Sequence, residues 1–410
     1  MDGVDSDRKR SGFRSRTRVA EAQTILENTL DHSRETSRVD LEAADGRVLA
    51  EPIVAERDVP HYERAAMDGY AVRAQDTFGA SERSPEVVRI GEGRVEPGTA
   101  VRVHTGSEVP EGGDAVVMIE HVEALEATDE LEVKDAVAEG ENVAPAGEDV
   151  EAGTTLYEPG HRLRPSDLGL LRSVGLEAVE VVDWPTVGVI PTGEELVEVD
   201  PDPGEVIETN GLTISRLVNR WGGQATYRDI VTDDFDALRV AIERDLTKDV
   251  VVTTGGSSVG ERDLLPEVID ELGEVLVHGV ALKPGHPVCL GIVEDTPVLA
   301  LPGYPVACIV NAVQFLRPVL RWLEGTDLDP HPTVEARLDR KIPSEPGTRT
   351  FARVALEKRD GKRVAVPTRA SGSGVLSSVA LADGWVVVEE SREGIPEGET
   401  VRVENWEPSV

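Results

Sequence analysis

The chain has 410 residues, is 39% hydrophobic, and carries 78 acidic against 42 basic side chains, a formal net charge of −36. Its length supports two to four domains with real cores, and its acidity excludes nucleic-acid binding through a basic face. Only seven of the basic residues are lysines, so the surface reads as that of a protein adapted to high salt, where screening relieves self-repulsion.

Residues 1–18 run against the global charge, with Arg8, Lys9, Arg10, Arg14, Arg16 and Arg18 outnumbering three acids. They read as a disordered arm. Residues 19–30 place Val19, Ala22, Ile25, Leu26 and Leu30 at helical spacing. Residues 51–150 are strand-like and rich in Gly and Pro, with no long helical pattern. Residues 157–163 and a short helix over 166–174 lead into a strand at 179–182.

After Pro185 strands and helices alternate. Strands are expected at 186–190, 225–231, 249–253, 275–280, 288–293 and 298–301. Helices are expected at 209–221, 235–246 and 264–272, with a long one over 306–323 bent at Pro318. Such alternation predicts a parallel sheet covered on both faces. Ligands in such sheets bind beyond the carboxyl ends of the strands, which directs attention to the loops 191–195, 253–263 and 302–305. Cys289 and Cys308 lack metal-type spacing and read as core residues. Residues 325–332 form a linker, and short alternating strands from Val334 onward predict a small β-barrel or sandwich. With no transmembrane-length apolar run and no signal-type segment, a cytoplasmic location without a membrane partner is expected.

The most informative stretch is 249–263, DVVVTTGGSSVGERD. A β-branched run breaks into Thr254, Gly255, Gly256, Ser257, Ser258 and Gly260, and Asp263 follows. Glycines admit a close ligand, and exposed N–H and hydroxyl groups hold phosphate oxygens. An acid there suits a divalent cation bridging those oxygens. A Ser-capped strand-to-helix turn explains the same residues, and the stretch matches neither of the common phosphate-loop patterns.

The other motifs are equally two-sided. Asp68 in Ala66–Ala71 is either a turn residue or an acid placed for a ligand. Glu195 either sits in a helix-start segment or ligates a metal or pterin. Thr232, Asp233 and Asp234 include a helix N-cap. Lys283 and His286 supply cations near a strand end, although a lone His is more often a structural hydrogen-bonder. Pro302, Gly303 and Pro305 either initiate a helix or form an oxyanion seat.

Taken together, the motifs AMDGYA (66–71), His104–Thr105–Gly106, Gly147–Glu148–Asp149, TGEEL (192–196), Thr209–Asn210, TGGSSVG (254–260) with Asp263, Lys283–Pro287 and Leu301–Val306 resemble one family. It is that of the molybdopterin molybdenumtransferases, MoeA in bacteria and the E domain of gephyrin, and the order and spacing run from about residue 15 to 410. The resemblance implies α/β plus β architecture in several domains. These are a disordered arm (1–14), a linking domain (15–50 and 151–182), a β-rich domain (51–150), a three-layer α/β/α molybdopterin-binding domain (183–326) and a C-terminal β-barrel (327–410). It implies a homodimer that inserts molybdate into adenylylated molybdopterin with release of AMP, using Mg2+. Other cofactor-biosynthesis proteins are possible partners.

By that resemblance Asp68, Thr105, Asp149, Glu195, Asp233, Asp263, Lys283 and His286 correspond to functional positions, with Glu195 and Asp263 on the metal. Thr254, Gly255, Gly256, Ser257, Ser258, Gly260, Pro302, Gly303, Pro305 and Arg353 correspond to cofactor-binding positions. Three residues depart from the pattern: His286 stands for Lys, Tyr304 for Asn and Ala307 for Ser. Losing a fixed cation and a hydroxyl should weaken molybdate capture. A tungstate-inserting paralogue and a non-catalytic pterin carrier are the alternatives.

Overall fold

The computed structural model describes residues 16–31, 33, 35–125, 127–255, 264–368 and 372–408. The chain divides into two compact units, Thr36–Val181 on the one hand and Met1–Glu35 with Val182–Val410 on the other.

The Thr36–Val181 unit is built on a six-stranded sheet in the order Ala115–Met118, Gly69–Val72, Thr99–Val103, Glu86–Gly91, Glu130–Val133, Val122–Leu125. Alternation sorts its side chains: Tyr70 and Val72 join one core with Val88 and Leu131, while Ala71 joins another with Val101 and Val116. Gly69 is required where strands close up, because a Cβ there would lie 2.0 Å from the Val117 carbonyl oxygen. A second part pairs Thr36–Asp40 with Ala178–Val182 and Ile53–Val54 with Thr155–Tyr157, and adds the helix Pro165–Ser173. Its Asp167 is 2% exposed and is held by Arg164, His161 and Tyr157.

The other unit contains β1 (Thr186–Pro191), α1 (Asn210–Arg220), β2 (Gln224–Tyr227), α2 (Phe235–Asp245), β3 (Val250–Thr254), α3 (Leu265–Leu272), β4 (Glu274–His278), β5 (Cys289–Val293) and β6 (Thr296–Leu301). Their sheet order is β2-β1-β3-β6-β5-β4. The β-branched run of β3 is buried on both faces. Val250 and Val252 pack with Ile214 of α1 and Val306, while Val251 packs with Leu238 of α2 and Val268 of α3. This gives three layers, with Cys289 and Cys308 both buried in the cores and not joined in a disulfide.

The sheet is mixed rather than wholly parallel: β2, β1, β3 and β6 run parallel, but β5 pairs antiparallel with both β6 and β4. Connection length explains the difference. Glu294 and Asp295 alone separate β5 from β6, with Glu294 at φ 54°, and a parallel crossover needs about a dozen residues.

The long apolar helix is continuous over Pro305–Glu324 and long and apolar enough to cross a membrane, contrary to expectation. Here it is a core helix, with Val306, Val310, Val313 and Leu320 buried. It comprises α4 (Pro305–Asn311), a π turn (Ala312–Leu316) and α5 (Arg317–Glu324). Pro318 cannot donate a backbone hydrogen bond and its ring crowds the carbonyl four residues back. That carbonyl, of Gln314, accepts a hydrogen bond from Gln23 Nε2 at 2.8 Å. The irregularity expected at Pro318 is thus a π turn just ahead of it, with its freed acceptor satisfied by the helix Val19–Glu27.

Residues 333–404 close a barrel from β7 (Thr333–Leu338), β8 (Arg349–Arg359), β9 (Lys362–Pro367), β10 (Gly384–Val388) and β11 (Thr400–Glu404), in the cyclic order β8-β9-β7-β11-β10. The strand Leu282–Lys283 pairs with the start of β8. Residues 1–15 lie outside the described residues. The arm read over 1–18 ends earlier, because Thr17 donates to the Gly279 carbonyl (3.2 Å) and accepts from Ala281 N–H (2.8 Å).

Candidate functional site

In the Val182–Val410 unit, a cleft of about 1230 Å³ opens where the carboxyl ends of the sheet strands face the barrel. One wall comes from strand ends. The loop after β1 is tied by a Gly193 N–H to Val231 carbonyl bond (3.1 Å) and presents the exposed Glu195. The N-cap of α2 is Asp234, which accepts from Ala237 N–H at 3.0 Å, so its neighbour Asp233 remains a cleft residue. Asn210 opens α1 and donates from Nδ2 to the Gly303 carbonyl (2.7 Å), joining two strand-end loops.

Gly255 follows β3 at φ 146°, and a Cβ there would lie 2.0 Å from the Thr192 carbonyl oxygen. No other residue fits this turn without moving the backbone. Thr254, just before it, is 1% exposed, and its hydroxyl has no hydrogen-bond partner among the described residues. Gly256, Ser257, Ser258, Gly260 and Asp263 lie outside the described residues.

The facing wall is cationic. Lys283 is exposed, and its Nζ lies 3.3 Å from Glu345 Oε1. Arg340 and Lys341 follow β7, and Arg353 projects from β8 while only 7% exposed. Burial pulls the Arg353 guanidinium below its ordinary pKa, and it stays charged at neutral pH. Four permanent cations thus line one cleft of a strongly acidic chain.

His286 also lines the cleft, but it is not a fixed cation. Burial lowers its pKa below the ordinary imidazole value, and the charges of Arg16 and Lys283 push the same way. The partial charge expected near neutrality is therefore reduced further. Glu208 is 8% exposed and committed, since it accepts from Gly211 N–H (2.6 Å) and from the Tyr227 hydroxyl.

Pro302, Gly303 and Pro305 line the cleft, with Pro305 at the first helical position of α4. The first free N–H of that helix, on Val306, already donates to the Ser373 carbonyl at 3.0 Å. That N–H is thus committed to the backbone.

Asp68, Thr105 and Asp149 belong to the Thr36–Val181 unit. The structure brings the first two together: Thr105 donates to Asp68 Oδ1 from N–H (2.8 Å) and from its hydroxyl (3.2 Å), with His104 Nδ1 at 3.7 Å. These bonds hold the Asp68 carboxyl below the usual carboxylate pKa. Asp149 is exposed, its N–H bonded to the Val59 carbonyl at 2.9 Å.

Of the expected residues, Glu195, Asp233, Gly255, Lys283, His286, Pro302, Gly303, Pro305 and Arg353 meet in the one cleft. Arg340 and Lys341 also line the cleft and were not legible as site residues from any short sequence pattern. Among the described residues, no three His, Cys, Asp or Glu side chains converge as a metal site.

Three family models match in sequence: the MoeA N-terminal region (domains I and II) over residues 17–175, a probable molybdopterin binding domain over 188–322, and the MoeA C-terminal region (domain IV) over 335–406. The chain is 38% identical over 390 residues to a putative molybdopterin biosynthesis protein of Methanocaldococcus jannaschii, covering 92% of this chain and 94% of that one. It is 36% identical over 386 residues to a molybdopterin molybdenumtransferase of Bacillus subtilis, covering 90% and 89%. The crystal structure of a molybdopterin biosynthesis MoeA protein from Pyrococcus horikoshii superposes with a TM-score of 0.83 at 35% identity, covering 96% of this chain and 100% of the other. From residue 17 to 406, therefore, the chain belongs to the MoeA family of molybdopterin molybdenumtransferases.

Proposed function

We propose that this chain is a transferase of molybdenum cofactor biosynthesis that inserts molybdate into adenylylated molybdopterin and releases AMP. The observation that carries this reading is the cationic wall of the cleft. Lys283, Arg340, Lys341 and Arg353 gather in a chain of net charge −36, which suits a ligand with a phosphate bridge and an added oxyanion. The glycine turn at Gly255 and the Asn210–Gly303 tie give the rigid backbone against which such a ligand would lie.

Mg2+ retains several waters and needs only one or two protein carboxylates besides substrate phosphates. The exposed carboxylate of Glu195 on the cleft wall fits that donor set, with Asp263 as the second ligand expected from sequence. The ion would neutralise phosphate charge. The protein's own groups do the rest: the cations bind and orient the anions, and the barrel wall restricts water. We further propose a homodimer in which Asp68 and Thr105 of one chain complete the cleft of the other.

The test is to incubate the protein with adenylylated molybdopterin and Mg2+, then add molybdate, tungstate or neither, and follow AMP. AMP released on molybdate supports the reading. Because His286 carries less charge than the lysine of the family pattern, and Tyr304 and Ala307 also line the cleft, a tungstate-inserting paralogue is the second reading. AMP released only with tungstate would establish that one. Pterin bound with no AMP released under any oxyanion points to a carrier.

A further inference from the structure

We infer that Asn311 is a positioning residue for the cationic loop of the cleft, fixing the backbone that carries Lys283 and His286. Asn311 ends α4 and is 0% exposed. Its Nδ2 donates to the Gly285 carbonyl (2.9 Å) and to the Ala307 carbonyl (2.8 Å). The second bond fixes the amide to its own helix. The first carries that rigidity to the loop.

Gly285 answers from the other side. It lies mid-loop at φ 114°, and a Cβ there would stand 2.2 Å from Asn311 Nδ2. Glycine is needed both for this backbone conformation and for the close approach. The loop's flanks have separate anchors: Lys283 pairs with Thr350 of β8, and Val280 N–H donates to the His286 carbonyl at 2.9 Å. The Asn311 amide fixes the turn between them.

The amide carries a cost. Asn311 Oδ1 is buried and has no hydrogen-bond partner among the described residues. An unmet buried acceptor destabilises a fold, and an aliphatic side chain of similar size would avoid that cost. What leucine would forfeit is the grip on Gly285.

The inference rests on the reading of Lys283 as an oxyanion group, and the experiment separates the two. Sodium molybdate is titrated calorimetrically into the full-length wild type, Asn311→Leu and Lys283→Ala. Imidazole NMR signals are recorded in parallel, with His286 assigned by its loss in His286→Gln. Asn311→Leu should weaken molybdate binding about tenfold, in line with one lost hydrogen bond, and should shift the His286 signal. A weakened Lys283→Ala beside an unaltered Asn311→Leu, in both affinity and His286 signal, overturns the Asn311 role alone. Unaltered binding in Lys283→Ala overturns the oxyanion reading, and the Asn311 role falls with it.

If Asn311→Leu does not fold, Gly285→Ala serves instead, compared in the wild-type and Asn311→Ala backgrounds. The added methyl should weaken binding at least fivefold more when Asn311 is present, because only then does it meet Nδ2. Equal effects in both backgrounds overturn the inference.

Discussion

Replacing His286 by lysine tests whether the cleft lacks a cation that its ligand would use. Burial and the charges of Arg16 and Lys283 hold the folded His286 pKa below the ordinary value of 6.5. The imidazole is therefore less charged near neutrality than a free one, and charges more fully only as pH falls through its lowered pKa. A lysine ammonium stays charged throughout this range. At about 4 Å and an effective dielectric of about 20, a new ion pair with an oxyanion gains roughly 4 kcal/mol. Desolvation of the lysine and repulsion from Lys283 offset most of this, leaving about 1–1.5 kcal/mol, or about tenfold in affinity. Calorimetric titration of molybdate at fixed high salt should show His286→Lys binding about tenfold tighter at pH 8, with the gap narrowing at pH 5.5. Equal binding by the two proteins at both pH values would show that residue 286 does not face the oxyanion.

Further expectations concern the fold. Asp245 is fully buried and takes paired bonds from Arg228, so Asp245→Ala should cost about 3–5 kcal/mol in urea unfolding. Gly188→Ala should destabilise through the same pair, since its Cβ would lie 2.7 Å from Asp245 Oδ2. Loss under 0.5 kcal/mol in either would refute this packing. Asp167 is held well below the usual carboxylate range, chiefly by Arg164. Its contribution is full above the unfolded pKa of about 3.9 and is lost as pH falls, so the stability gap between wild type and Asp167→Asn should be larger at pH 7 than at pH 3. With 78 acids against 42 bases, thermal stability should rise with KCl into the molar range; a midpoint independent of salt contradicts a salt-adapted surface.

Sequence reading succeeded where one periodicity or one motif decided the outcome. The β-branched run expected as a strand at 249–253 is one over Val250–Thr254, buried on both sides, and its flanking helices supply the two cores. It failed where connection length overrode pattern. Alternating elements suggested a wholly parallel sheet, yet the two-residue link between β5 and β6 permits only a hairpin. At the site, local motifs located the strand-end residues because each marks a turn. Arg340 and Lys341 reach the cleft through barrel closure, a non-local event that no short pattern announces. Asp233 and Asp234 were indistinguishable in sequence until the Ala237 N–H bond identified Asp234 as the cap. The environment of His286 depends on burial and on Arg16, far away in the chain, so its depressed basicity was not legible either.

The most direct test of the account is AMP release from adenylylated molybdopterin on addition of molybdate, compared among three proteins. These are the wild type, the double variant Lys283→Ala with Arg353→Gln, and Arg239→Gln, a control on α2 whose guanidinium pairs with Glu243 outside the cleft. The account predicts release at least tenfold slower in the cleft variant and unchanged in the control. Wild-type release from the cleft variant, with its fold intact, would contradict it.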